Sequence, residues 1–164
     1  MTKSGKIGLI RAAKASLFRS NKMLEATGDL WETPASWRLV TTNGILNSGD
    51  ELVMGAGVAL QAKQRFPGLP QKLGRWVLEY GNRPFFCKTE GIISFPTKYH
   101  WKDHSNIVLI WESAKRIVEI ADKFQLRSIV SPRPGCGRGG LTWDFVKPHI
   151  EDVLDDRFTI LSKG

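Results

Sequence analysis

Ser128-Ile-Val-Ser-Pro-Arg-Pro-Gly-Cys-Gly-Arg-Gly-Gly-Leu-Thr-Trp143 starts as a β-branched strand, turns on two prolines, places four glycines within six positions, and closes on a helix-start signal at Thr142. Pro132 and Pro134 withdraw backbone donors and end the strand. Gly135, Gly137, Gly139 and Gly140 lack Cβ, so a ligand can approach the main chain and positive φ is available. Amides from Arg138 to Leu141 would then point inward at a helix start, where donors and dipole both favour a phosphate. The plain alternative is a glycine-rich surface turn. Gly135, Gly137 and Gly140 also match Gly-x-Gly-x-x-Gly, the dinucleotide fingerprint. That fingerprint belongs to a first βα turn, and only 24 residues follow Gly140, which argues for a phosphate loop late in some other α/β fold.

Working outward, strands are expected at Met23–Ala26, Trp37–Thr42, Gly91–Phe95 and Phe158–Leu161. Val58–Phe66 and Pro70–Tyr80 have helical spacing, with Gly81 past the second end. Ser105 is a candidate cap for a long helix with a core face of Ile107, Val108, Trp111, Ala114, Ile117, Val118, Ala121 and Phe124. Pro148 should either kink the helix that follows Thr142 or start its main body. Alternating strands and helices imply a three-layer α/β/α sandwich with a mixed, largely parallel sheet. Ligands of such sheets sit beyond the strand C-terminal ends. The polar or glycine-rich stretches Asn43–Gly57, Pro96–His104 and Pro132–Gly140 leave such ends and should converge on one cleft.

At 164 residues the chain has the length of one domain. No apolar run approaches the roughly 18 residues of a membrane span, and Cys87, Cys136 and three histidines make no metal-ligand spacing. A reduced, cytoplasmic monomer with neither metal nor cofactor is expected. The net charge of +8 is unevenly placed: six of 24 bases, and no acid, fall in residues 1–22, leaving 18 bases against the chain's 16 acids. Residues 1–22 therefore read as a basic arm ahead of one domain at 23–164, and nucleic acid is a candidate partner for it.

Four motifs in order resemble the macrodomain family, the α/β/α module that binds ADP-ribose. Gly28-Asp29-Leu30 resembles its Gly-Asp-Ile/Leu element, whose carboxylate accepts from the adenine amino group. Val53-Met54-Gly55-Ala56-Gly57-Val58-Ala59 resembles its first phosphate loop, and Pro134-Gly135-Cys136-Gly137-Arg138-Gly139-Gly140-Leu141 its second. Phe95-Pro96-Thr97-Lys98-x-His100-Trp101 is similar to the branch of antitoxin macrodomains that remove ADP-ribose from thymidine in DNA, where the lysine is catalytic. The resemblance implies ADP-ribose contacts from Asp29, Leu30, Met54 to Val58, Thr97, Pro132 and Gly135 to Leu141. It also implies a catalytic Lys98 and a ribose-facing Asn43 or Asn47. Two departures stand out: the stretch from Asn43 to Met54 is longer than in the antitoxins, and Gly139 stands where a related human hydrolase carries an aspartate.

From the residues alone, Asp29 reads first as a turn or helix cap, and Lys98 as a solvated surface cation that could neutralise a pyrophosphate rather than react. His100 could orient substrate or bond within its loop, and Cys136 lacks a base that would make it a nucleophile. The expected ligand is ADP-ribose or an ADP-ribosylated macromolecule. Hydrolase, binding module and phosphatase on ADP-ribose 1″-phosphate are the three activities in play.

Overall fold

A computed structural model describes residues 21–163. Six strands run β1 (Leu24–Thr27), β2 (Trp37–Thr42), β3 (Phe86–Cys87), β4 (Ile92–Pro96), β5 (Ile129–Pro132) and β6 (Phe158–Ser162). They form one sheet in the order β1-β6-β5-β2-β4-β3. All neighbours are parallel except β3, which pairs antiparallel with β4 at the edge. The mixed, largely parallel sandwich expected from the sequence is present; the two-residue strand β3 had no sequence signal.

Alternate residues of the sheet feed two cores. Leu39, Ile93, Phe95, Ile129, Phe158 and Ile160 face α3 (Ile107–Phe124) and α4 (Trp143–Ile150). Val40 and Ile92 face α1 (Gly57–Arg65) and α2 (Leu69–Tyr80). The inner strands β4 and β5 are buried on both faces, as a parallel sheet flanked by helices requires, while the edge strand β1 is exposed.

Three local expectations change. Asn106, not Ser105, caps α3: its Oδ1 accepts from the Leu109 amide at 3.0 Å. The stripe of α3 on the sheet is Ile110, Ala114, Ile117 and Ala121. Val108 and Trp111 stand about 200° and 100° around the helix from Ile110, and are 58% and 40% exposed. Helix α4, with Thr142 as its cap at 3.3 Å, does not begin at Pro148; it runs through Pro148 and ends two residues later.

The arm lies outside the described residues apart from its end, where Asn21 Nδ2 donates to Asp156 Oδ2 at 2.9 Å and the Lys22 backbone pairs antiparallel with that of Asp155. Among the described residues no helix is long and apolar enough to cross a membrane.

Candidate functional site

Strands β5, β2 and β4 are adjacent and parallel, so the three loops leaving their C-terminal ends meet. The Thr97 amide donates to the Thr42 carbonyl at 3.0 Å and the Gly44 amide to the Tyr99 carbonyl at 3.2 Å. The exit of β1 joins them because Leu30 packs with Val130 and Leu161, and Val58 lies on that small cluster.

On the β1 and β2 side, side-chain caps set the loops. Asp29 Oδ2 accepts from the amides of Trp31 (2.8 Å) and Glu32 (3.1 Å), so its carboxylate does cap a turn, while the residue itself stays exposed. Behind that turn sits Arg38 of β2, which the sequence reading passed over. Its guanidinium donates to the carbonyls of Leu30 and Thr33 at 2.8 Å each, and more distantly to Ala35 and Trp31. Asp29, Trp31, Glu32, Gln61, Gln64 and Arg65 line an open cleft of about 410 Å³; of the expected site residues only Asp29 borders it.

The extra length after Asn43 folds into a small excursion. Leu46 bridges Leu52, and the Val53 amide returns to the Ile45 carbonyl at 2.9 Å. Gly74 of α2 lets this excursion lie close, since a Cβ there would collide with the Asp50 carbonyl. Asn47 sits at the exposed tip, where its Oδ1 accepts from Gly49 and Glu51 and its Nδ2 donates to Glu51. Asn43 sits at the base, directly after β2, with Nδ2 donating to the Val53 carbonyl (3.0 Å) and Oδ1 accepting from Ile45 (2.9 Å). Of the two asparagines, only Asn43 is at the strand end.

The first glycine loop enters α1 with Ala56 as an N-cap that offers no side-chain bond. The amides of Gly57, Val58 and Ala59 have no acceptor among the described residues, which leaves them for an anion. Met54 and Leu30 are buried, 2% and 5% exposed, so their contributions to a ligand fall to the backbone.

On the β4 and β5 side the loops clasp each other. The Ser105 amide donates to the Gly139 carbonyl at 2.8 Å. Lys98 Nζ donates to the carbonyls of Arg138 at 3.3 Å and Trp101 at 3.4 Å. Asn82, just past α2, donates its Nδ2 to the Lys98 carbonyl at 3.0 Å and presses on Gly44. Thr97 is buried at the root of the loop. His100 makes the local bond, its Nδ1 accepting from the Lys102 amide at 3.1 Å.

The glycines divide into two groups. A Cβ on Gly55, Gly57 or Gly137 meets nothing within 4 Å, so these three face open space. A Cβ on Gly135 would strike Ile110, one on Gly139 would strike Ser105, and one on Gly140 would strike His104; these serve packing. The expectation for the amides narrows likewise. Those of Gly139, Gly140 and Leu141 bond within the loop, to Cys136, Gly137 and Gly135. Gly137 and Arg138 keep amides with no acceptor among the described residues. Burial raises the Cys136 thiol above its ordinary pKa, which disfavours the thiolate a nucleophile needs. Among the described residues no group of His, Cys, Asp or Glu could hold a metal ion. Two sets of free amides at neighbouring strand ends, with one lysine beside them, suit a ligand carrying two phosphates.

The Macro domain family profile matches residues 49–150. A DNA ADP-ribosyl glycohydrolase of Thermus aquaticus is 34% identical over 139 residues, which cover 78% of this chain and 36% of the relative. The chain spans about a third of the length of the curated relatives it matches. Among solved structures, the macrodomain of Thermus aquaticus DarG superposes with a TM-score of 0.70 at 30% identity, over 87% of this chain and 98% of that one. Thermosipho africanus DarTG in complex with ADP-ribose superposes with a TM-score of 0.69 at 24% identity, over 88% of this chain and 43% of that one.

Proposed function

This chain belongs to the Macro domain family, and on that premise we propose that it binds ADP-ribose and hydrolyses its bond to a modified macromolecule, DNA being the substrate class favoured. The observation that carries the reading is the pair of glycine loops with open amides at adjacent parallel strand ends, with Lys98 held beside the second. Adenine lies at Asp29, whose second carboxylate oxygen is an acceptor for the amino group. The pyrophosphate lies between the α1 N-terminus and the amides of Gly137 and Arg138. The distal ribose then falls between Asn43 and Lys98.

Lys98 acts at C1″ of that ribose: as nucleophile it displaces the macromolecular group and forms a C1″–Nζ bond that water then hydrolyses, or as proton donor it protonates the departing group while water attacks C1″. Both roles need a removable proton, which a lysine offers and an arginine does not. Relatives named as DNA ADP-ribosyl glycohydrolases, and a relative's structure with ADP-ribose, support this reading.

A non-catalytic ADP-ribose module is the second reading, favoured by one observation: the stretches 97–104 and 132–141, which hold Lys98 in place, carry no carboxylate except Asp103. The test is to incubate the protein with ADP-ribosylated DNA, ADP-ribosylated protein and ADP-ribose 1″-phosphate, and to follow free ADP-ribose. Release from DNA is expected. Binding of ADP-ribose without turnover of any of the three would leave the module, and turnover confined to the 1″-phosphate would make the protein a phosphatase.

A further inference from the structure

We propose that Tyr99, Trp101 and Lys102 form a docking surface for single-stranded nucleic acid, on which unpaired bases of the modified strand stack. The inference rests on the proposed placement of ADP-ribose, since it concerns what lies beyond the ribose end. Tyr99 and Trp101 are 54% and 49% exposed, yet they stand on a fastened loop. The Tyr99 carbonyl accepts from Gly44, the Asp103 amide donates to the His100 carbonyl at 3.1 Å, and His100 Nδ1 accepts from Lys102. The Trp101 ring lies against His100 at 5.3 Å, with Lys102 Nζ over it at 5.3 Å. Two large rings so exposed on an ordered turn, beside the lysine at the ribose end, form a ready stacking platform.

Charge selects the occupant. The stretches 97–104 and 132–141 carry Lys98, Lys102, Arg133 and Arg138 against the one acid, Asp103. The stretches 28–36 and 43–56, which leave β1 and β2, carry Asp29, Glu32, Asp50 and Glu51 and no base. A polyanion leaving the cleft at the ribose end therefore runs over the aromatic side and away from the acidic one. Stacking on Tyr99 and Trp101 needs bases not already paired, so the strand is single.

The test uses the full chain, a dye-labelled unmodified oligothymidylate followed by anisotropy, and ADP-ribose titrated calorimetrically into the same samples. Tyr99→Ala and Trp101→Ala should each weaken the oligonucleotide about tenfold, the scale of one stacked base. Trp101→Phe should restore most of the loss. Lys102→Ala should lower the slope of log affinity against log salt by about one. ADP-ribose affinity should stay unchanged throughout. Alanine variants that bind like the parent, or a duplex or an acidic peptide that binds as well as the single strand, would overturn the proposal. Absence of ADP-ribose heat in the parent alongside the expected oligonucleotide pattern would instead refute the ADP-ribose reading and leave the surface standing.

Discussion

The two sides of the cleft are built from the same parts, loops leaving parallel strands, but are held by different means. On the β1 and β2 side, side chains tie the backbone down: Asp29 and Asn43 cap their own turns, and the Arg38 guanidinium gathers the carbonyls of Leu30 and Thr33. On the β4 and β5 side, backbone is locked against backbone, with Ser105 on Gly139, Gly135 and Gly140 packed without room for a Cβ, and Lys98 reaching across to the Arg138 carbonyl. A side held by caps presents fixed acceptors and free amides, which suits recognition of the adenosine end. A side held by close packing keeps one long cationic side chain in place beside free amides, which suits the end where a bond is broken. Under the proposed function, recognition and reaction should therefore be separable, each open to perturbation without the other.

The largest separation is expected at Lys98. Lys98→Ala should lower turnover of ADP-ribosylated DNA by at least roughly 100-fold, with ADP-ribose affinity changed far less, because loop amides hold the phosphates. Steady-state kinetics beside calorimetry reads both. Equal losses in the two would tie binding and reaction to the same contacts.

Two glycines outside the positive-φ region give the next contrast. Gly55 faces open space, so Gly55→Val should abolish detectable ADP-ribose binding in calorimetry while the melting temperature holds. Gly139 faces Ser105, so Gly139→Ala should destabilise by about 1–3 kcal/mol through overpacking, measured by denaturant unfolding. A reversal of these two outcomes would mean that the ligand lies elsewhere.

Arg38 tests the capped side. Arg38→Ala strands the carbonyls it serves and should destabilise by about 1.5–3 kcal/mol, the scale of hydrogen bonds to a charged group. It should also narrow the preference for ADP-ribose over ribose phosphates lacking adenine. Unchanged unfolding and unchanged preference would remove Arg38 from the site's support.

The smallest effect is one of pH, at the foot of β1. Hydrogen bonds from Lys147 at 2.6 Å and the Trp143 indole at 2.9 Å hold the Glu25 carboxyl below its ordinary pKa of 4.5. A depressed carboxyl stabilises the fold above its unfolded pKa, and that contribution disappears as pH falls through the folded value. Glu25→Gln should therefore flatten the dependence of melting temperature on pH below about 4.5, and leave it unchanged at pH 7 and above. Glu25 is mostly solvated, so the change should be slight.

How far the sequence reached follows from whether a signal was local. Strands β2, β4 and β5 announce themselves as apolar β-branched runs ended by Pro96, Pro132 or a polar turn, and their loops by glycine. The choice between Asn43 and Asn47 was not local: it depends on Leu46 meeting Leu52, which folds the intervening stretch out of the way. Ser105 and Asn106 are both good capping residues, and a single sequence cannot say which one the close approach of Gly139 has claimed for packing. The same holds for the glycines, whose division depends on the distant Ile110, Ser105 and His104. Arg38 reads as an ordinary polar residue in a strand, and its role appears only once the loop after β1 curls over it. Apolar residues occupy two faces of α3, so spacing alone places Val108 and Trp111 in the core, and only packing tells which face meets the sheet.

Whether Lys98 reacts or merely attracts phosphate is decided by Lys98→Arg. Arginine keeps the charge but holds its proton at a pKa above about 12. Single-turnover release of ADP-ribose from modified DNA should fall as far as in Lys98→Ala, by at least roughly 100-fold, while calorimetric ADP-ribose affinity stays near that of the parent. Near-normal release by the arginine variant would contradict the account and leave Lys98 a phosphate ligand.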